Sequence, residues 1–321
     1  MKLVTLCLMG SLVSVAPLAA LAQAYPAKPL RLVLGFPPGS AVDVVGRIFA
    51  AKLGEAVRQT VVVENRPGAG SNIAAEAVVR APADGYTLFM GSIANTINAS
   101  LYKSLPFDFG RDLAAISGIA SLPNLLVVHP SMPVHSVREL IATAKARPND
   151  ILFGSSGNGT SPHLSAVLFG SMAGVKIVHV PYKGSPEAVT DLVAGRTQMM
   201  FAPASTALPF VKSGKLRALA TSTAKRAAIM PDLPTVDEAG VKGFETSLWF
   251  ALYAPTATPG DIIGRLNGAA AQALNDADLK QKFAAQGIDP FGGTVAQTAE
   301  FTRSELAKWA KVVRESGARL D

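Results

Sequence analysis

Short apolar runs rich in β-branched residues alternate with amphipathic stretches through most of this chain, and that alternation constrains its fold most. Leu30–Leu34 reads as a buried strand, followed by a Gly/Pro turn over 35–39 and a helix from about Val42 to Gln59, with Val45, Ile48, Phe49 and Leu53 at helical spacing. Val61–Val63 and Tyr86–Met90 are the next strands, separated by a Gly-rich turn and a helix reaching Ala81. A second block repeats the pattern. Strands are expected at 125–128, 151–153, 177–180, 199–201 and 216–220, with helices at 137–146, after Ser161-Pro162 and after Ser185-Pro186. In both Ser-Pro pairs Ser is expected at the N-cap and Pro at N1. Trp249–Tyr253 is a last strand, and beyond it the pattern is helical: a start at Thr258-Pro259, then 278–286 and 295–316. Strand–helix–strand order implies parallel pairing with both sheet faces covered. The expectation is an α/β fold of two lobes, each a mostly parallel sheet flanked by helices. The closing helices need a sheet to cover, so they are assigned back to the first lobe. Lobe 1 is then discontinuous, 25–123 plus 249–321, and lobe 2 is 124–248. The chain would cross near Leu122–Leu126 and Ser247–Ala251, which makes a hinge with a ligand cleft between the lobes.

Residues 1–24 read as a secretory signal peptide. Lys2 precedes an apolar run, Leu3–Ala20, and Ala22-Gln23-Ala24 is a small-x-small cleavage site. Pro17 and the small residues suit cleavage better than an uncleaved anchor, and Leu6 before Cys7 is too bulky for the usual lipidation site. Cys7 is the chain's one cysteine, so the exported protein would carry no disulfide, thiolate metal site or cysteine nucleophile. The net charge of +7 is scattered, without the basic run or stripe that nucleic-acid binding requires. A diffuse positive field modestly favours encounter with anions.

Enzymatic signatures are weak. His129, His135, His163 and His179 lack metal-ligand spacing, and Gly154-Ser155-Ser156-Gly157 is not a nucleophile elbow. Gly157-Asn158-Gly159 lacks the third glycine of a dinucleotide fingerprint, and no P-loop occurs. No cofactor and no metal are expected.

Several motifs, in order along the chain, resemble those of the Bug receptors, the substrate-binding components of tripartite tricarboxylate transporters. They are Gly35-Phe36-Pro37-Pro38-Gly39 with Asp43, Val62–Gly70 (VVENRPGAG), Asp84–Leu88 (DGYTL), Gly157–Leu164 (GNGTSPHL), Val180–Gly184 (VPYKG) and Gly214–Ala220 (GKLRALA). The resemblance implies a two-lobe periplasmic binding protein fold of type II-like design and a periplasmic location. It also implies a small organic carboxylate as ligand and an integral-membrane permease as partner. A monomer that is not an enzyme is expected. The same module serving a sensor, or a secreted enzyme on a similar fold, are the alternatives. The chain departs from the family where Ser40 follows Gly39 in place of a second glycine. It departs again at Ala202-Pro203-Ala204-Ser205, where many relatives carry an acidic residue.

Two loops are the principal ligand candidates, because helix N-termini offer backbone N–H donors and a favourable dipole to an anion. The first contains Phe36, Pro38, Gly39 and Ser40; the second contains Gly157, Gly159, Thr160 and Ser161. Composition alone favours ordinary capping, and the resemblance turns the reading toward ligand contact. Asp43 is read either as complementing the first helical turn or as orienting a bridging water. Ser92 and Asn95 follow the third strand, as pocket wall or solvated loop. His163 is a further candidate, with packing within its helix as its plainer role. Tyr182, Lys183 and Ser205 complete the set; Lys183 either faces the anion or is an exposed loop lysine.

Overall fold

The computed structural model describes residues 25–316, so the expected signal peptide and its cleavage site lie outside the described residues. In order, the first block comprises β1 (Leu30–Leu34), α1 (Ala41–Val57), β2 (Val61–Asn65), a 3-10 turn (Ala69–Ser71), α2 (Asn72–Val79), β3 (Thr87–Ser92), α3 (Ile93–Leu101), α4 (Phe109–Asp112) and β4 (Leu113–Leu122). The second comprises β5 (Asn124–Val128), α5 (Val137–Ala146), β6 (Leu152–Ser155), α6 (Ser161–Ala173), β7 (Val178–Pro181), α7 (Ser185–Val193), β8 (Met199–Pro203), α8 (Ala204–Lys212) and β9 (Arg217–Thr221). The chain closes with β10 (Leu248–Pro255), α9 (Gly260–Asn275), α10 (Ala277–Ala285), β11 (Asp289–Pro290) and α11 (Val295–Ser316).

These strands form two sheets, ordered β11-β4-β10-β3-β1-β2 and β7-β6-β8-β5-β9. Both share one plan. A first strand sits between the second and third, then comes an antiparallel strand belonging to a crossing, then one more, with the short β11 added at the edge of the first sheet. Strands joined through helices pair in parallel, β1 with β2 and β3, and β6 with β7 and β8. The crossing strands β10 and β5 run antiparallel to both neighbours. Each sheet is therefore mixed rather than mostly parallel, because a chain that passes straight from β4 into β5 through Pro123 has no crossover helix to reverse it.

The first lobe's core lies between its sheet and α1, α9 and α11, with Phe89, Phe109 and Tyr253 as an aromatic centre. In the second lobe Phe169, Phe201 and Phe244 pack together on one face, and Val189, Leu192 and Met200 lie on the other. Leu164 of α6 is buried in the first lobe's core rather than its own, so the lobes are in contact. Glycines line the rest of that contact. A Cβ on Gly184 would lie 2.5 Å from Cγ of Pro37, one on Gly39 3.6 Å from Cγ of Pro186, and one on Gly70 3.1 Å from the Asn158 carbonyl oxygen.

Two helix starts differ from expectation by one residue. Thr160 and Gly184 are the N-caps, not Ser161 and Ser185, because their carbonyls accept the first intrahelical bonds, from Leu164 and Ala188. Among the described residues no helix is long and apolar enough to cross a membrane.

Candidate functional site

In both sheets the strand order reverses beside the first strand, and α/β sheets bind ligands outside the carboxyl ends of strands at such reversals. Here the two reversal points face one another. A cavity of about 340 Å³, part of it open to solvent, lies between the ends of β1 and β3 and those of β6 and β8. Helices α1, α3, α6, α7 and α8 all begin on its wall, through Ser40–Val42, Ser92 and Ala94, Thr160–Pro162, Ser185 and Pro203. No side chain caps α1, α6, α7 or α8. Of the helices that start elsewhere, α4, α5 and α10 are capped by Asp108, Ser136 and Asp276, while α2 and α9 also lack a side-chain cap. The uncapped first turns leave N–H groups and positive dipole ends directed at one space.

Hydroxyls complete the polar wall: Ser40, Ser92, Ser156, Thr160, Ser161 and Ser185. Ser40 Oγ is buried without a hydrogen-bond partner. Ser92 Oγ accepts from the Ala94 N–H (3.3 Å), and Ser161 Oγ accepts from Asn124 Nδ2 (2.6 Å), so both retain a proton to donate. Ser156 and Ser185 bond each other at 2.7 Å, and Thr160 Oγ1 donates to the Gly157 carbonyl at 2.7 Å. The rest of the wall is apolar, with Phe36, Pro203, Leu248 and Phe250 prominent. No ionisable side chain lines the cavity among the described residues.

Of the residues expected from sequence, Phe36, Ser40, Ser92, Thr160 and Ser161 meet in this cavity. Gly157, Tyr182 and Lys183 line a wider outer chamber of about 1280 Å³, which shares Phe36 and Ser156 with the inner one. The others do neither. Pro38 and Gly39 lie exposed at the loop tip. Gly159 (φ +72°) packs against Asn98 of the opposite lobe, so it serves lobe contact rather than approach to a ligand. Asn95 accepts from the Ser92 N–H (3.0 Å) in a capping box. Ser205 is buried in the first turn of α8, its Oγ without a partner. The Asp43 carboxylate accepts from the Gly39 N–H, Arg47 and Asn65 at 2.9 Å each. Burial pushes its pKa up, but those bonds outweigh burial and hold it below the ordinary value. Asp43 thus braces the loop and is turned from the cavity.

His163 also stands behind the wall. Its ring stacks on His179 at 4.1 Å, His179 stacks on Phe153 at 4.8 Å, and His163 Nδ1 accepts from the Gly159 N–H at 3.2 Å. His179 Nε2 meets Ser155 Oγ at 2.6 Å. Burial lowers the His163 pKa from 6.5 to about 4; burial, then the neighbouring His163, lowers that of His179 to about 3. Both rings are neutral when folded and protonate more readily when unfolded. Their contribution to stability is complete above pH 6.5 and declines as pH falls through 6.5 toward 4 and 3. Urea midpoints are expected to fall between pH 7.5 and pH 5, and less so in His179→Gln. Identical midpoints for wild type at the two values would contradict the neutral pair.

Asn124, Ser156, Ser185, Pro203, Leu248 and Phe250 were not anticipated as site residues. Asn124 follows the crossing at Pro123. It holds Ser161 and, at 3.4 Å, Ser165, whose Oγ bonds Thr246 Oγ1 (2.7 Å) before the second crossing. One hydrogen-bond chain therefore links both crossings to the cavity wall.

The comparisons agree with this geometry. Residues 45–318 match the family model TctC, described as tripartite tricarboxylate transporter family receptor. Protein BugT of Bordetella pertussis is 38% identical over 98% of each chain. The solved structure of R. palustris Rpa4515 with adipate superposes with a TM-score of 0.88 at 38% identity, over 91% of this chain and 98% of that one. MatC from Rhodopseudomonas palustris with bound malate gives 0.83 at 27% identity, over 90% and 100%. With two lobes, a cleft at paired reversal points and a match that spans nearly the whole fold, the chain belongs to the TctC family of tripartite tricarboxylate transporter receptors.

Proposed function

We propose that this protein is a periplasmic receptor that captures a small organic carboxylate in the inner cavity and delivers it, unchanged, to a membrane permease. The observation that supports this most is the set of five helix N-termini around a space with no charged side chain. Such a site favours an anion through N–H groups and dipoles without a formal counter-charge. It offers no pair of ionised groups for acid–base work. Adipate in one relative and malate in another support a carboxylate as the anion. The lobes would pivot about Pro123 and the segment before Leu248, with Asn124 carrying the pivot's state to Ser161.

Binding of carboxylates, followed by calorimetry, tests the reading. Replacing the ligand's carboxylate by an amide is expected to weaken binding sharply, and equal affinity would refute the anion assignment. Ser40→Ala and Ser161→Ala each remove one hydroxyl donor. The expected loss is about 0.5–1.5 kcal/mol, or up to about 3 kcal/mol where the hydroxyl meets the charge. Lys183→Ala, in the outer chamber, is expected to change affinity little. If it abolishes binding while the serine variants bind normally, the anchor is a salt bridge instead. Loss of uptake of the bound acid in cells lacking this protein would tie it to a permease.

A further inference from the structure

Resting on that reading, we propose that the ligand is a monocarboxylate with a compact apolar body, not a di- or tricarboxylate. The free side-chain hydroxyls of the inner cavity match one carboxylate. After internal bonds are satisfied, protons remain on Ser40, Ser92 and Ser161 and on one member of the Ser156–Ser185 pair. A carboxylate has about four lone-pair sites, so these hydroxyls saturate a single group. Pro162 and Pro186 each remove an N–H from a first turn, α6 and α7, which trims the backbone supply.

The remaining wall is Phe36, Val42, Pro162, Pro203, Leu248 and Phe250, which suits hydrocarbon. A second carboxylate set against that apolar wall would lose its hydration with no cation beside it. Nor does the outer chamber supply one cleanly. Lys183 and Glu187 both line it and oppose each other in sign, and the Tyr182 hydroxyl donates to Asp191 at 2.8 Å. An extended diacid would therefore set its far end between opposite charges. In this respect the chain departs from the relatives found with adipate and malate.

The test titrates benzoate, isovalerate, adipate, malate and benzamide into the protein at pH 7.5, by thermal shift and calorimetry. Benzoate or isovalerate is expected to bind at least tenfold more tightly than either diacid. Phe36→Ala is expected to weaken the monoacid about tenfold, with recovery in Phe36→Leu. Adipate or malate binding as tightly as the monoacids overturns the apolar monocarboxylate and leaves the carboxylate receptor standing. Benzamide binding as well as benzoate, or no acid of either kind binding, overturns the receptor reading itself.

Discussion

Gly184→Val is expected to weaken ligand binding by about 30- to 150-fold, the equivalent of about 2–3 kcal/mol of overpacking. Gly184 has φ −173° and ψ 170°, an extended conformation that valine adopts without strain. Its own lobe can therefore accept the side chain. The obstacle is across the cleft, where a Cβ would lie 2.5 Å from Cγ and 2.8 Å from Cδ of Pro37. That clash exists only when the lobes meet. The variant escapes it by opening, so the penalty falls on the closed, ligand-binding population and not on folding. Small-angle scattering of the free variant should show a larger radius of gyration than wild type, with little change in the unfolding midpoint. Pro37→Gly in the same chain removes the obstructing ring and should restore most of the affinity. A double variant as weak as the single one would show that Gly184 acts within its own lobe and that lobe contact at Pro37 is immaterial to binding.

Much of the first lobe's start and the long helices was legible because their patterns are local. The bounds expected for α5 and α11 coincide with those observed, since Ser136 caps a clean apolar stripe in α5 and α11 keeps helical spacing throughout. Strand β4 was missed. Leu113–Leu122 (LAAISGIASL) has no alternation because the strand is buried almost throughout, and Gly118 is small because Phe291 and Gly292 lie against it. Helix α3 was missed because its Asn and Thr residues are weak helix formers, so the run reads as a loop although seven of its nine residues are buried. Pro209 inside α8 hid that helix as well.

The site divides the same way. Gly-Ser turns before helices are visible locally, so the loops at 36–40 and 157–161 could be picked out. That α7 and α8 begin on the same cavity depends on how two sheets face each other, which no local pattern encodes. Asn124 left one trace: an amide of low strand propensity heading the run Leu125–Val128. A buried polar residue in that position asks for partners, and Ser161 and Ser165 are those partners. Asp43 and His163 take the plainer of the two roles the sequence allowed each of them. Both support, from behind, the loops that form the wall.

Glu305→Leu is expected to destabilise the protein by about 2–5 kcal/mol in urea unfolding, through two indoles rather than through charge. Glu305 is 8% exposed on α11, and its Oε2 accepts from Trp249 Nε1 at 2.8 Å and from Trp309 Nε1 at 3.1 Å. Both tryptophans are buried, at 2% and 4% exposure, so each N–H loses its partner in a place closed to water. An unsatisfied buried donor costs about 1–3 kcal/mol, and here there are two. Leucine keeps most of the volume, which separates the polar loss from a cavity effect. Trp249 lies on β10 opposite Ser121 of β4, so the same carboxylate ties α11 to the strands that leave and re-enter the first lobe. Glu305→Gln keeps an acceptor oxygen and should cost about 1 kcal/mol. Lys308→Ala removes the ion pair at 3.6 Å and the ammonium 5.6 Å from the Trp309 ring centroid, both from a lysine 55% exposed, and should leave the midpoint nearly unchanged. If the lysine variant proved as damaging as the leucine variant, the ion pair and not the paired indole bonds would be what secures α11 to β10 and its partner β4.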